Sequence, residues 1–266
     1  MNFTPEIWIL WFLNTTLQTG LILKLFSTGL RLSFPHFRLY LAVSLLITLL
    51  QLSLRLHFPM ETDLYAWIFV IWSYLSSFFE FLLIRELNTS ALAPFPAIKS
   101  ASTRTLNAFW GILIAVGAAW YVYLSSSPIV KYPILVTALR YHDAVALGFT
   151  LYILLFLAFV AWMPVPLSKN VLNHTFLIAA YFLSITLSRF VVQFGSLEAQ
   201  SNVANYISLG GASIVFLLWI IKIRAGQDDT LNTPKGPLNR EEALEMLARL
   251  EELNRTLSRS GPKVLR

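Results

Sequence analysis

Seven stretches of this chain are apolar for about as long as a bilayer is thick, and no other feature limits the possible folds so strongly. A hydrocarbon core takes roughly 20 helical residues to cross, and inside it every backbone polar group must find a partner within the protein. The runs lie near 6–29, 38–57, 64–86, 105–125, 141–162, 172–193 and 203–223. They predict an all-α, polytopic membrane protein with seven transmembrane helices. Composition agrees: 56% of the 266 residues are hydrophobic and 13% are charged, with a mean hydropathy of +0.64, against roughly 25% charged in ordinary soluble domains. The chain has no cysteine, which excludes disulfides, thiolate metal sites and a cysteine nucleophile. Its formal charge of +6 comes from basic residues scattered between apolar runs and not massed in one patch. That pattern is a topology signal and gives no reason to expect nucleic-acid binding.

Basic residues near helix ends favour the cytoplasmic side. With the N-terminus outside, the inner set is Lys24, Arg31, Arg38, Arg85, Lys99, Arg104, Lys169, Lys222 and Arg224, and the outer set is Arg55, Lys131, Arg140 and Arg189. Nine against four predicts N-out, C-in. The opening MNFTPEIW has no basic n-region and carries Glu6, so the first run reads as a retained helix and not a cleavable signal.

The connections are short, and only 87–104 and 125–140 have room for a binding loop or interfacial helix. FPHFR at 34–38, FPAIK at 95–99 and, more loosely, MPVPLSK at 163–169 echo one another. Each sets a proline just before a helix and a basic side chain at headgroup depth. This reads as interfacial anchoring, or as a docking surface for a cytoplasmic partner.

The seven-helix bundle is expected over 1–223, a polar linker over 224–238, and a short cytoplasmic amphipathic helix over 239–260. Asn239 and Glu242 form a capping-box-like start. Ala243, Met246, Leu250, Leu253 and Leu257 follow at 3-4-3-4 spacing, which predicts an interaction seam two heptads long. That seam serves either self-association or docking beneath the bundle. Lipid binding is disfavoured by Glu241, Glu242 and Glu245 on the polar face.

Ionisable groups inside the spans are the candidate site. Ser73, Ser76, Ser77 and Glu80 share one face of the third helix, and that polar stripe should face the protein interior. A charge at the bilayer centre costs about 2.5–3.5 kcal/mol, so Glu80 needs a partner or a task. Lys24 lies at matching depth and is the expected partner, with Arg85, one turn from Glu80, as the local alternative. A second set marks an outer vestibule: Arg55, His57, Asp63, Arg140, His142, Asp143, Arg189 and Gln193. Gathered by the fold, these would bind an anionic or zwitterionic ligand; otherwise they are polar because helix ends reach water. SLGGAS at 208–213, and Gly111, Ala115 and Ala119, predict close helix packing.

No helix carries two histidines at i,i+4, and Lys222 is the only lysine of the last span. Zinc-protease, bis-histidine haem and retinal chemistry are therefore not expected. Neither are a Walker loop and a Gly-x-Ser-x-Gly elbow. The expectation is a protein without catalytic residues, metal or cofactor.

The stretches Phe34, Pro35, Phe37 and Tyr40; Tyr65, Trp72, Glu80, Glu86 and Leu87; and Phe95, Pro96, Ile98 and Lys99 with Arg104 resemble a bacterial family of seven-span membrane proteins that carries no assigned activity. The resemblance covers residues 30–112 and departs from the family at Phe34 and Phe95, where tyrosine is expected. It supports the seven-span architecture and contributes no catalytic residues; with the orientation read from the basic residues, the expectation is a bacterial inner membrane, a periplasmic N-terminus and a cytoplasmic C-terminus. The tail resembles the helical stalk that follows seven-span sensor modules of bacterial signalling proteins. The functional expectation is a receptor-like or sensor-like protein coupling a periplasm-facing vestibule to the cytoplasmic helix, in contact with lipid and with either a second copy or a cytoplasmic protein. A small transporter subunit working through Glu80 and Lys24, or an assembly subunit of a membrane complex, are the alternatives.

Overall fold

The computed structural model describes residues 5–28, 34–57, 63–125, 133–162, 167–193, 197–223, 231–232 and 240–260. They form eight helices: α1 Pro5–Ser27, α2 Pro35–His57, α3 Asp63–Ala91, α4 Pro96–Ser125, α5 Pro133–Trp162, α6 Lys169–Gln193, α7 Leu197–Lys222 and α8 Arg240–Ser260. The first seven are long and apolar enough to span a membrane. This is an all-α, multi-pass membrane architecture with one added amphipathic helix. Its outward surface supports the same conclusion, since Phe12, Leu46, Leu155 and Trp162 are all exposed, Leu155 to 72%. An apolar surface of that extent suits lipid and not water.

Consecutive spans run antiparallel. The end where α1 begins is called the N face and the end where α7 finishes the C face. α7 packs on both α1 and α6, α5 on α3, α4 and α6, and α2 on α1 and α3. Aromatic side chains fill the interior, with Phe34, Phe37, Phe149, Phe182 and Trp219 almost fully buried. α4 is peripheral: among its described residues only Leu106 and Leu124 are buried.

The helices begin earlier than hydropathy alone predicts, and proline is the reason. Pro5, Pro35, Pro96 and Pro133 each occupy the first helical position, where a fixed φ and a missing N–H cost nothing. The 87–104 segment is therefore not a loop, because α3 continues to Ala91 and α4 starts at Pro96. Within the four-residue connection Leu92 and Phe95 are buried.

The FPHFR and FPAIK echo has a structural meaning beyond anchoring. In both, phenylalanine stands at the N-cap, where its carbonyl accepts the first helical bond, from Arg38 and Lys99 respectively. Phenylalanine has no side-chain oxygen to satisfy the next N–H groups, the role a serine or aspartate normally plays. Another helix supplies it. Glu86 of α3 accepts from the His36 and Phe37 N–H groups at 3.2 and 2.9 Å, placing a carboxyl at the positive end of the α2 dipole. Asn254 of α8 accepts from the Ala97 and Ile98 N–H groups at 2.8 and 3.3 Å. The third echo starts differently: Leu167–Ser168 pairs antiparallel with Leu231–Asn232, and Ser168 caps α6 through Val171 N–H at 3.3 Å.

α8 docks against the start of α4. Its inward face is Met246, Leu247, Leu250, Asn254 and Leu257, with Leu250 buried in the core. The predicted seam is thus rotated slightly: Leu253 stays 49% exposed, because Asn254 takes the inward position. The Ala243 side chain lies outside the described residues. Arg249 and Glu245 form an i,i+4 ion pair at 2.7 Å.

Small residues behave unevenly. A Cβ on Gly211 would sit 2.7 Å from Ser184 Cβ, so α6 and α7 approach there as closely as glycine permits. Gly111, Ala115 and Ala119 instead lie on the exposed side of α4, and a Cβ on Gly111 would meet no atom of the described residues within 4 Å.

Candidate functional site

Ser73, Ser76, Ser77 and Glu80 are all buried, each at 2% exposure or less. Side-chain hydroxyls of this stripe turn back onto their own helix: Ser76 and Ser77 both donate to the Ser73 carbonyl, at 3.2 and 2.8 Å. Glu80 has no such local outlet. Its Oε1 lies 3.7 Å from His142 Nε2 on α5, and its Oε2 has no hydrogen-bond partner among the described residues.

His142 is oriented from the other side. The Arg189 guanidinium reaches His142 Nδ1 at 3.4 Å. Arginine only donates, so Nδ1 is the acceptor in this contact, and Nε2 faces Glu80. Arg189 Nε is also 3.3 Å from Asp143 Oδ1. One member of the set expected inside the membrane and three of the set expected at its outer edge therefore form one chain of contacts, Asp143–Arg189–His142–Glu80.

Glu80, His142 and Arg189 line a cavity of about 490 Å³ among α1, α2, α3, α5, α6 and α7, a size typical of small-molecule sites. Gln51, Arg189 and Asn205 lie toward the N face, and Glu80 and Tyr40 lie at the deep end. Tyr40 and Tyr181 join their hydroxyls at 2.5 Å. Trp11, Phe69 and Trp72 supply aromatic wall, and Ser208, also on the wall, donates to its own helix at Asn205 O.

The fold disperses other expected residues. Lys24 donates to the Ile220 carbonyl of α7, a cation at a helix C-terminus, while the contact that Glu80 makes is with His142. Proximity in depth did not translate into pairing because Lys24 and Glu80 point to different neighbours. Arg85 and Arg140 are exposed. The side chains of Arg55, His57, Asp63 and Gln193 lie outside the described residues. Sequence reasoning missed Tyr40, Tyr181, Asn205 and Ser208, although hydroxyl and amide groups within apolar spans were the available signal.

A separate buried histidine, His174, accepts from Trp219 Nε1 at 3.2 Å and packs on Phe34 and Phe37. It is a packed core group on the C-face side of the cavity.

Compared with known families, curated proteins and solved structures, the chain matches none of them. The resemblance noted over residues 30–112 gains no support from them. Among the described residues no cluster of three or more potential metal ligands occurs.

Proposed function

We propose that this is a receptor-like protein of the bacterial inner membrane, non-enzymatic, with the N face periplasmic and the C face cytoplasmic. In this reading the cavity receives a small ligand and α8 carries the output. The observation that carries it is the buried Glu80 carboxyl in a cavity of ligand size, on a helix that leads through α4 to the docked tail. The connection runs along α3 from Glu80 to Asn88, whose Oδ1 accepts from Ser102 of α4 at 2.9 Å. It continues down α4 to the turn that Asn254 caps. Contiguity of this kind is a route for coupling and becomes evidence only when both ends are seen to respond.

The test is hydrogen exchange on the full chain in lipid nanodiscs. Glu80→Gln, isosteric at the cavity, is expected to change exchange in residues 240–260 at least threefold. Unchanged exchange in α8 with altered exchange around the cavity refutes the coupling. The alternative, a transporter subunit, is favoured by the depth of Glu80 within the spans. It predicts loss of solute flux in Glu80→Gln and normal flux after deletion of α8, the reverse of what a receptor requires.

A further inference from the structure

The charges around the cavity do not cancel. Asp143 and Arg189 neutralise one another at 3.3 Å, and the same guanidinium reaches His142 Nδ1 at 3.4 Å. Glu80 is the second acidic group of the contact chain, with one carboxyl oxygen unpartnered among the described residues at 1% residue exposure. The hydroxyls on the wall add to this bias. Ser76 and Ser208 give their protons to carbonyls of their own helices, so toward the cavity each offers lone pairs and no donor. A carboxylate and acceptor-biased hydroxyls beneath aromatic walls suit a group with several N–H donors and a positive charge.

We propose that the cavity binds a small organic cation, a protonated amine with an apolar or aromatic body, its ammonium group seated on Glu80 beside Ser76 and its body against Trp72 and Phe69. This rests on the reading of the cavity as a ligand site and names the ligand class. It also reverses the expectation of an anionic ligand: Arg189, the group that would have attracted one, is already engaged by Asp143 and His142.

The experiment uses the full chain in nanodiscs and three isosteres, phenethylamine, 2-phenylethanol and phenylacetate, at neutral pH, where an alkylamine is protonated. Thermal unfolding is followed against concentration. Phenethylamine is expected to raise the midpoint saturably, 2-phenylethanol weakly, and phenylacetate not at all. Glu80→Gln is expected to weaken phenethylamine at least tenfold and leave 2-phenylethanol unchanged. Ser76→Ala, which leaves the carboxyl in place, is expected to weaken phenethylamine severalfold and serves if Glu80→Gln does not fold. Phenylacetate binding as tightly as phenethylamine, or phenethylamine binding unaffected by both substitutions, overturns the cation assignment. If phenylacetate or 2-phenylethanol binds best and Ser208→Leu on the cavity wall abolishes it, the ligand site stands and only its class is wrong. No saturable response to any of the three overturns both.

Discussion

Asn254→Ala removes the side chain whose hydrogen bonds tie the tail to the start of α4. Asn254 Oδ1 serves two backbone N–H groups, those of Ala97 and Ile98 at 2.8 and 3.3 Å, and Phe95 at the N-cap has no oxygen to replace it. Loss of a capping side chain costs about 0.5–2 kcal/mol; since two donors share this oxygen, the upper half of that range applies. A change of about 1–2 kcal/mol alters the ratio of docked to undocked α8 by about 5- to 30-fold. Leu250, buried to 2%, still contributes about 1.5–3 kcal/mol of burial, so docking is weakened and not abolished. Exchange mass spectrometry of the peptides covering 96–100 and 244–257 should show rates raised by that factor. Asn254→Asp is the control: it keeps the acceptor and adds a negative charge at the α4 N-terminus, favourable by about 0.3–1 kcal/mol, so exchange should be no faster than in the parent. If the alanine variant exchanges within twofold of the parent, or aspartate behaves as alanine does, the capping role is wrong.

Glu86→Leu removes the acceptor of two N–H groups at the buried start of α2 and is expected to lower stability by about 1–3 kcal/mol. Glu86→Gln, which keeps one acceptor oxygen, should lose less; equal unfolding midpoints for all three proteins count against the cap. Gly211→Ala forces a Cβ to within 2.7 Å of Ser184 Cβ, an overpacking cost of about 1–3 kcal/mol. Pairing it with Ser184→Gly should recover most of that loss in a double-mutant comparison, and failure to recover any places the close approach elsewhere.

The seven spans were legible because hydropathy over bilayer length depends on composition alone. Helix starts were less so. Residues 96–104 carry polar side chains that lower local hydropathy, and Arg140 interrupts the apolar run 133–140, yet a proline at the first position begins each helix regardless. What the sequence hides most completely is a partner contributed by a distant segment. Glu86 and Asn254 reveal nothing of the helices they cap, 49 or 50 and 156 or 157 residues away. Glu80 drew notice as a charge among phenylalanines, but its neighbour was set by how α3 packs on α5. For α8 the spacing of leucines gave an amphipathic face correctly, and one asparagine decided how that face was turned.

Depth gives the cavity an electrical consequence. On the proposed reading, a recess wetted from the N face toward Glu80 would lower the resistance of that half of the bilayer, so that most of the transmembrane voltage would fall across the thinner barrier between Glu80 and the C face. Moving one elementary charge through the full field is worth about 2.3 kcal/mol per 100 mV. With the N face outside, a resting cell would pull a monovalent cation toward the floor of the recess, and depolarisation would release it.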